Sequence, residues 1–235
     1  MHGRIRLVTF DAWNTLFRLK HSVGATYLRL LQHKLSPAEQ RALNLDRVRE
    51  SDISQAFGAA FKRTSAEHAH FGRELGSYQK WWTLVLQDTF AQVGAREPLS
   101  QATADLLIGH FASAEPYVIE PTAATLLRHL RESGITVGVI SNSDPRTVQA
   151  LDALGLGDFI DFVVTQFEVG FAKPDPRIFK LSLDRAGIEN PALALHAGDD
   201  LERDLEGPIA CGWNAALLEN ASLADTILKR LEVLQ

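Results

Sequence analysis

The chain has 235 residues, a formal net charge of −5 and one cysteine, and 46% of its residues are hydrophobic. This length and composition fit one α/β domain, or a core domain with a smaller domain inserted. They exclude an internal disulfide and a basic surface for nucleic acid, and no apolar run is long enough to cross a bilayer. The amino terminus shows no signal-peptide pattern, so we expect a cytoplasmic protein without nucleic-acid or membrane partners.

Short apolar runs along the chain predict buried parallel strands. They are Ile5–Phe10, Thr136–Ile140, Phe162–Thr165, Ala192–Ala197 and Asn214–Leu218. Helical patterns follow at Thr122–Glu132, Arg146–Leu154, Pro176–Ala186 and Ser222–Leu234. Strands that alternate with helices indicate right-handed βαβ units. We therefore expect an α/β fold whose core is a Rossmann-like parallel sheet covered on both faces.

A long stretch without a strand pattern separates the first two predicted strands. It has helical patterns at Ser22–His33, Ser36–Leu43, Asp46–Thr64, Tyr78–Val93 and Ser100–Ala112. Such a stretch is too long for a simple crossover and predicts a second, helical domain. We assign residues 1–17 and 116–235 to the α/β core and residues 18–115 to an inserted helical cap domain.

The aromatic residues of the predicted cap allow two interpretations. Trp81 and Trp82 could line a substrate pocket, but packing inside the cap is favoured for at least one of them. Adjacent residues on a helix point about 100° apart, so both cannot face the same way. The residues expected to pack the cap are Phe57, Phe61, Leu84, Val85 and Phe90.

Polar residues stand where predicted strands of the core end. Asp11 closes the first strand, Ser141 the second and Asp199 the fourth. In open parallel sheets, ligands bind outside the carboxyl ends of the strands. We therefore expect these side chains to converge on one site.

Four ordered segments resemble the motifs of the haloacid dehalogenase superfamily of hydrolases. They are FDAWNT (Phe10–Thr15), VISN (Val139–Asn142), Lys173-Pro174-Asp175 and AGDDLERD (Ala197–Asp204). Within the superfamily, three further segments are similar to the group named haloacid dehalogenase-like hydrolase domain-containing protein 3. These are Phe17–Leu28, the Trp81-Trp82 pair with Val85–Phe90, and Phe171–Phe179.

The resemblance implies a role for each core motif in phosphoryl transfer. Asp11 would be the nucleophile and would form an aspartyl-phosphate. Ser141 and the backbone amide of Asn142 would hold a phosphate oxygen, and Thr15 is also assigned to substrate binding. Lys173 would place a cation beside the nucleophile. The substrate would be a small phosphorylated molecule, and neither its identity nor the oligomeric state follows from the sequence.

The resemblance also implies Mg²⁺ as the cofactor. Magnesium is usually bound by one or two carboxylates together with waters. Asp11, the backbone carbonyl of Trp13 and Asp199 would be the protein ligands. Asp200 and Asp204 would orient waters or Lys173. Asp200 could instead be only a helix-capping acid.

Trp13 departs from the pattern of most phosphatases in this superfamily, which carry a general acid at this position. General acid–base catalysis typically contributes about 10²–10⁴-fold in rate, so we expect a slow phosphatase that acts on good leaving groups. Cap histidines could substitute, although lone histidines are more often structural. The candidates are His21, His68 and His70.

Two other functions remain open at this point. True haloacid dehalogenases carry an aromatic residue where Trp13 stands, so a metal-independent 2-haloacid dehalogenase is one alternative. Those enzymes lack the acidic fourth motif, whereas this chain has Asp199, Asp200 and Asp204, which favours the metal-dependent phosphatase. A catalytically impaired ligand-binding protein is the other alternative.

Overall fold

The structure is a computed structural model that describes residues 4–218 and 222–234. The chain divides into two compact units, one formed by residues up to Arg18 and from Tyr117 onward, the other by Leu19–Pro116. Residues 1–3, which belong to the amino-terminal segment without a signal-peptide pattern, lie outside the described part. Within that part, no helix combines the length and the apolar character that a membrane crossing requires.

The core unit is built on a parallel sheet. The strands of the chain are β1 (Leu7–Phe10), β2 (Phe17–Leu19), β3 (Tyr117–Ile119), β4 (Thr136–Ser141), β5 (Phe162–Thr165), β6 (Ala194–Gly198) and β7 (Asn214–Leu217). Five of them form one sheet in the order β5-β4-β1-β6-β7, and every neighbouring pair is parallel. The short strands β2 and β3 pair separately.

The register of the sheet brings the predicted site residues to one edge. Phe10 of β1 is aligned with Val139 of β4 on one side and with Ala197 of β6 on the other. Asp11 follows Phe10 and Gly198 follows Ala197, so Asp11 and Gly198 lie at the same level of the sheet. The carboxyl ends of these three central strands therefore face one region.

The second unit is helical. Its helices are α1 (Val23–Lys34), α2 (Pro37–Ala42), α3 (Glu50–Glu67), the four-residue α4 (Ala69–Gly72), α5 (Tyr78–Gln92) and α6 (Gln101–His110). The buried rings of Trp81 and Trp82 lie 4.9 Å apart in its interior, and the partly buried ring of Phe61 contacts both. The Trp81 indole donates to the carbonyl of His68 at 3.0 Å, which satisfies its buried N–H.

The remaining helices cover the sheet. They are α7 (Ala123–Glu132), α8 (Arg146–Ala153), α9 (Gln166–Val169), α10 (Pro176–Ala186), α11 (Gly207–Ala210) and α12 (Leu223–Val233), and a π-helical turn spans Leu201–Glu206. Phe179 of α10 packs under the sheet, with its ring 5.7 Å from that of Trp213. Both rings belong to a buried apolar cluster that also contains Leu7 and Ile140.

The predicted fold class is confirmed: the molecule is an α/β protein with a parallel sheet flanked by helices. One packing expectation is wrong, because Leu84 is 40% exposed on the outer side of α5. Sequence patterns also missed the short β2–β3 pair and the π-helical turn, since elements this short carry little periodicity.

Candidate active site

The carboxyl ends of β1, β4 and β6 surround a small polar cavity of about 140 Å³ in the core unit. The residues that line it lie at or just after the ends of these strands, in the π-helical turn Leu201–Glu206, or at Lys173. They are Asp11, Trp13, Asn14, Ser141, Asn142, Lys173, Asp199, Arg203 and Asp204. The structure thus brings together most of the predicted site residues in one cavity.

Lys173 is the centre of the charge network in this cavity. Its side chain is buried, and its Nζ donates to Asp11 Oδ1 at 2.9 Å and to Asp204 Oδ1 at 2.7 Å. An unpaired ammonium group would be costly at this depth, and the two carboxylates compensate for its lost hydration. The same contacts hold the Asp11 carboxylate in one orientation.

The backbone of Lys173 is fixed by the side chain of Asn142. Asn142 Oδ1 accepts from the Lys173 N–H at 2.7 Å, and Nδ2 donates to the Lys173 carbonyl at 2.9 Å. This pair of bonds ties the lysine segment to the end of β4. Both polar atoms of the Asn142 side chain are occupied by these bonds. If Asn142 binds a phosphate oxygen, it would therefore do so through its backbone N–H.

Asp204 is almost fully buried and has partners on both carboxylate oxygens. Oδ1 accepts from Lys173 and, at 3.1 Å, from His196 Nε2, while Oδ2 accepts from the backbone N–H of Asp200 at 3.0 Å. Burial alone would raise the pKa of Asp204, but the hydrogen bond from His196 and the Lys173 charge together hold this pKa well below its usual range. Asp204 is therefore an ionised anchor for Lys173.

Gly198 makes the position of Asp204 possible. A Cβ atom at Gly198 would lie 2.3 Å from the carboxylate carbon of Asp204, which no side chain can tolerate. Because residue 198 is glycine, the Asp204 carboxylate of the π-helical turn can pack directly against the end of β6.

Three carboxylates form the candidate metal centre. Oxygens of Asp11, Asp199 and Asp204 lie within 4.8 Å of one another. The pKa of Asp199 is raised by burial and by the negative charge of Asp11. Carboxylates crowded in this way fit a divalent cation, which prefers oxygen ligands. Since Asp204 already serves three donors, Asp11 and Asp199 are the carboxylates better suited to bind the ion directly.

Asn14 was not predicted and orients one of these carboxylates. Its Nδ2 donates to Asp199 Oδ2 at 3.3 Å. The backbone of Asn14 is left-handed, with φ of 57°, a conformation that asparagine adopts more readily than most residues. The tight turn after Trp13 therefore directs an amide across the site toward the end of β6.

Trp13 is anchored inside the core unit. Its indole N–H donates to Thr147 Oγ1 at 3.4 Å. Its ring makes edge-to-face contacts with Phe17 and Tyr117, at centroid distances of 5.2 and 5.3 Å. Trp13 is thus a fixed wall of the cavity, and its indole has no group that could act as a general acid.

Comparison with known proteins agrees with the arrangement of motifs. A family model described as haloacid dehalogenase-like hydrolase matches residues 5–212. This chain belongs to the haloacid dehalogenase-like hydrolases. It is 34% identical to the Bos taurus haloacid dehalogenase-like hydrolase domain-containing protein 3 over 228 residues, which cover 96% of this chain and 86% of the relative.

Solved structures with the same fold include a dehalogenase and a phosphatase. A 2-haloacid dehalogenase from Pseudomonas syringae pv. Tomato DC3000 has a TM-score of 0.69 at 22% identity, over 97% of this chain and 98% of that one. A HAD phosphatase from Thermococcus onnurineus has a TM-score of 0.62 at 20% identity, over 92% and 86%. At these identities, the likeness shows the haloacid dehalogenase-like fold and does not show which reaction this chain catalyses.

Other predicted residues of this haloacid dehalogenase-like hydrolase lie at or near the cavity. Ser141 lines it at the end of β4. Thr15 is only 1% exposed and is not among the lining residues, so its side chain is buried and does not face the cavity. Asp200 caps the turn Leu201–Glu206 and pairs with Arg203 at 2.5 Å. It thereby offsets the charge of Arg203, a lining residue that the sequence did not single out.

Two buried polar residues behind the site were also missed. Thr9 of β1 and His196 of β6 are aligned in neighbouring strands, and Thr9 Oγ1 lies 2.8 Å from His196 Nδ1. Each interrupts an otherwise apolar strand, which is the signal that could have identified them. A separate buried ion pair, between Asp144 and Arg146 at 2.7 Å, lies at the start of α8.

The candidate residues of the helical unit have partners there. His21 Nε2 lies 2.8 Å from Arg29 Nη1, and His68 Nδ1 lies 2.8 Å from Glu74 Oε1. His70 has a left-handed backbone, with φ of 52°. Trp81 and Trp82 are 1% and 7% exposed, so both pack inside this unit.

Proposed function

We propose that this chain is a Mg²⁺-dependent phosphohydrolase that acts slowly on small phosphorylated metabolites. The observation that carries the proposal is the crowding of Asp11, Asp199 and Asp204, within 4.8 Å of one another, around the buried ammonium of Lys173. These carboxylates leave the cavity with excess negative charge, which would repel an anionic substrate. A bound divalent cation offsets that charge.

Asp11 would act as the nucleophile. Its carboxylate attacks phosphorus in line, the ester bond breaks, and the leaving oxygen takes the bonding electron pair. Water then attacks the aspartyl-phosphate, which releases inorganic phosphate and restores the carboxylate. Lys173, 2.9 Å from Asp11 Oδ1, keeps the carboxylate oriented and adds positive charge beside the transferring group.

The remaining lining groups would bind the phosphoryl oxygens and the ion. Ser141 and the backbone amide of Asn142 would donate to a phosphoryl oxygen. Asp11, Asp199 and the backbone carbonyl of Trp13 would hold Mg²⁺. When bound, the ion neutralises charge that develops on the phosphoryl group. Thr15, whose side chain is buried, would support the turn that carries Asp11 and Trp13.

The fixed indole of Trp13 limits which substrates react. Without an acid at this position, the leaving oxygen must depart as an anion. Acyl phosphates and aryl phosphates satisfy this requirement because their leaving groups have low pKa values, whereas alkyl phosphates do not.

The proposal is tested by turnover of acetyl phosphate and p-nitrophenyl phosphate with and without Mg²⁺. We expect turnover that depends on Mg²⁺ and is abolished by Asp11→Asn. Asp184→Asn, at an exposed pair with Lys180 on α10, is a matched control that should behave as wild type. Absence of turnover across a broad panel of phosphates would refute the proposal.

Trp13 supports a second candidate, a metal-independent 2-haloacid dehalogenase. An aromatic residue at this position resembles those enzymes, and Asp11 would then attack the carbon that bears the halogen. Halide release from 2-chloropropionate in the presence of EDTA would establish this activity. If phosphate analogues bind but neither reaction occurs, the chain is a ligand-binding protein on this scaffold.

A further inference from the structure

Thr9 and His196 form the buried end of a hydrogen-bonded chain that leads to the nucleophile. Both residues are 0% exposed, and both lie on central strands of the sheet. From His196 the chain continues to Asp204, 3.1 Å away, then to Lys173 at 2.7 Å and to Asp11 at 2.9 Å. It therefore runs from the interior of the sheet to the reactive carboxylate.

The partners determine which ring nitrogen of His196 carries the proton. Asp204 is a carboxylate paired with Lys173, so it accepts, and His196 Nε2 must donate. Nδ1 is then the acceptor, and the hydroxyl of Thr9 donates to it at 2.8 Å. Burial lowers the pKa of His196, in agreement with a neutral ring that donates on one side and accepts on the other.

A polar pair inside a parallel sheet requires an explanation. Burying a polar group is unfavourable unless it is hydrogen-bonded, and apolar residues would fill these two positions without that constraint. The ring of His196 does contact Phe179 at 5.9 Å, but a phenylalanine could make the same contact. The hydrogen bond to Asp204 is what only the polar residue provides.

We propose that His196, supported by Thr9, is a positioning residue that holds Asp204 in place and thereby sets Lys173 against Asp11. Asp204 lies within the π-helical turn Leu201–Glu206, and without His196 its Oδ1 would be held by Lys173 alone. Because His196 donates from the central strand β6, it fixes the position of the Asp204 carboxylate relative to the sheet. The proposal rests on the proposed role of Asp11 as nucleophile, but the geometry that it describes can be measured without turnover.

The first test is NMR spectroscopy of the intact protein labelled with ¹⁵N-histidine. We expect His196 to be neutral, with the proton on Nε2, and its Nε2–H signal to shift in Asp204→Asn. A proton on Nδ1, or an Nε2–H signal that is unchanged in Asp204→Asn, would overturn the proposal. This result does not depend on activity, so it separates failure of the hydrogen-bonded chain from failure of the proposed reaction.

The second test compares three substitutions of His196 in the turnover assay. The amide of glutamine reaches about as far as Nε2 and can still donate to Asp204, whereas asparagine reaches only to the position of Nδ1. Phenylalanine keeps the packing on Phe179 and removes both bonds. Loss of groups that orient a reactive site typically costs about 10–100-fold, which we expect in kcat for His196→Asn and His196→Phe, with KM little changed.

His196→Gln should retain most of the wild-type rate. A purely structural role predicts a different order, with phenylalanine tolerated best because it preserves the ring packing. That order, or equal losses in all three variants, would overturn the proposal. Thermal unfolding of each variant identifies any loss of kcat that is caused by unfolding. Thr9→Val removes only the donor to His196 Nδ1, and it should also lower kcat.

Discussion

The indole N–H of Trp13 donates to the hydroxyl of Thr147 at 3.4 Å, and this bond joins the loop after β1 to the first turn of α8. Thr147 in turn donates to Ser143 Oγ at 2.8 Å. Trp13 is thus bonded to the segment that follows Ser141 and Asn142. Trp13 has become part of the scaffold of the site.

Trp13→Asp should increase the hydrolysis of phosphates with poor leaving groups. A carboxyl group here could protonate the leaving oxygen, and general acid catalysis is worth about 10²–10⁴-fold. The measurement is kcat/KM for an alkyl phosphate relative to p-nitrophenyl phosphate. Trp13→Phe, which keeps the ring contacts with Phe17 and Tyr117 but adds no acid, is the control and should leave this ratio unchanged. A folded Trp13→Asp with the wild-type ratio would contradict this account.

Lys173→Met should strongly destabilise the protein. Asp204 would then be a buried carboxylate without its cation, and breaking a buried ion pair from one side typically costs about 3–5 kcal/mol. Urea unfolding at neutral pH measures the change in free energy. Lys180→Met, at an exposed pair on α10, should change the stability little. Equal stability of the two variants would show that Asp204 does not depend on Lys173.

Asp204 should also give the protein a specific acid sensitivity. Because its pKa is lower in the folded chain than in the unfolded chain, its ionised form stabilises the fold above the usual carboxyl pKa. This contribution is lost as the pH falls from about 4 toward the depressed folded value. Unfolding free energies measured from pH 6 downward should therefore decrease less steeply in Asp204→Asn than in wild type. Parallel curves would contradict the assignment.

Asp199→Asn should stabilise the metal-free protein and remove its response to Mg²⁺. The pKa of Asp199 is raised by burial and by Asp11, so its charged form is disfavoured in the folded chain and lowers stability as the pH rises above the usual carboxyl range. The midpoint of thermal unfolding at pH 7 should be higher for the variant in EDTA. Added Mg²⁺ should raise the midpoint of wild type only, since a ligand that binds the folded state stabilises it. A Mg²⁺-induced rise in the variant would exclude Asp199 as a ligand.

Gly198→Ala should disrupt the site because its Cβ would overlap the Asp204 carboxylate at 2.3 Å. We expect a lower unfolding midpoint and a loss of turnover. Gly58→Ala is the matched control, since nothing lies within 4 Å of a Cβ there and the residue is inside α3. Alanine is favoured over glycine in a helix by about 1 kcal/mol, so this control should be as stable as wild type or more stable. Equal effects of both substitutions would contradict the close packing of Asp204.

Much of the core could be predicted because its signals are local. Apolar runs closed by Asp11, Ser141 and Asp199 mark strand ends, and the α/β alternation of strands and helices requires those ends to share an edge. The turn at Leu201–Glu206 could not be predicted, because a π-helical segment of six residues has no distinctive period. Nor could the outward position of Leu84, since hydrophobicity alone does not decide which side of α5 a residue occupies.

The sequence by itself determined the family, the α/β class and most of the residues that line the candidate site, because these depend on the type and order of residues along the chain. Only the tertiary structure decided which partner each side chain takes. Asn142 binds the lysine segment, Trp13 binds Thr147, and His196 supports Asp204 from within the sheet. The first two contacts join residues far apart in the chain, and the third joins a strand to the turn that follows it. All three depend on strand register and side-chain direction, which local sequence patterns do not encode.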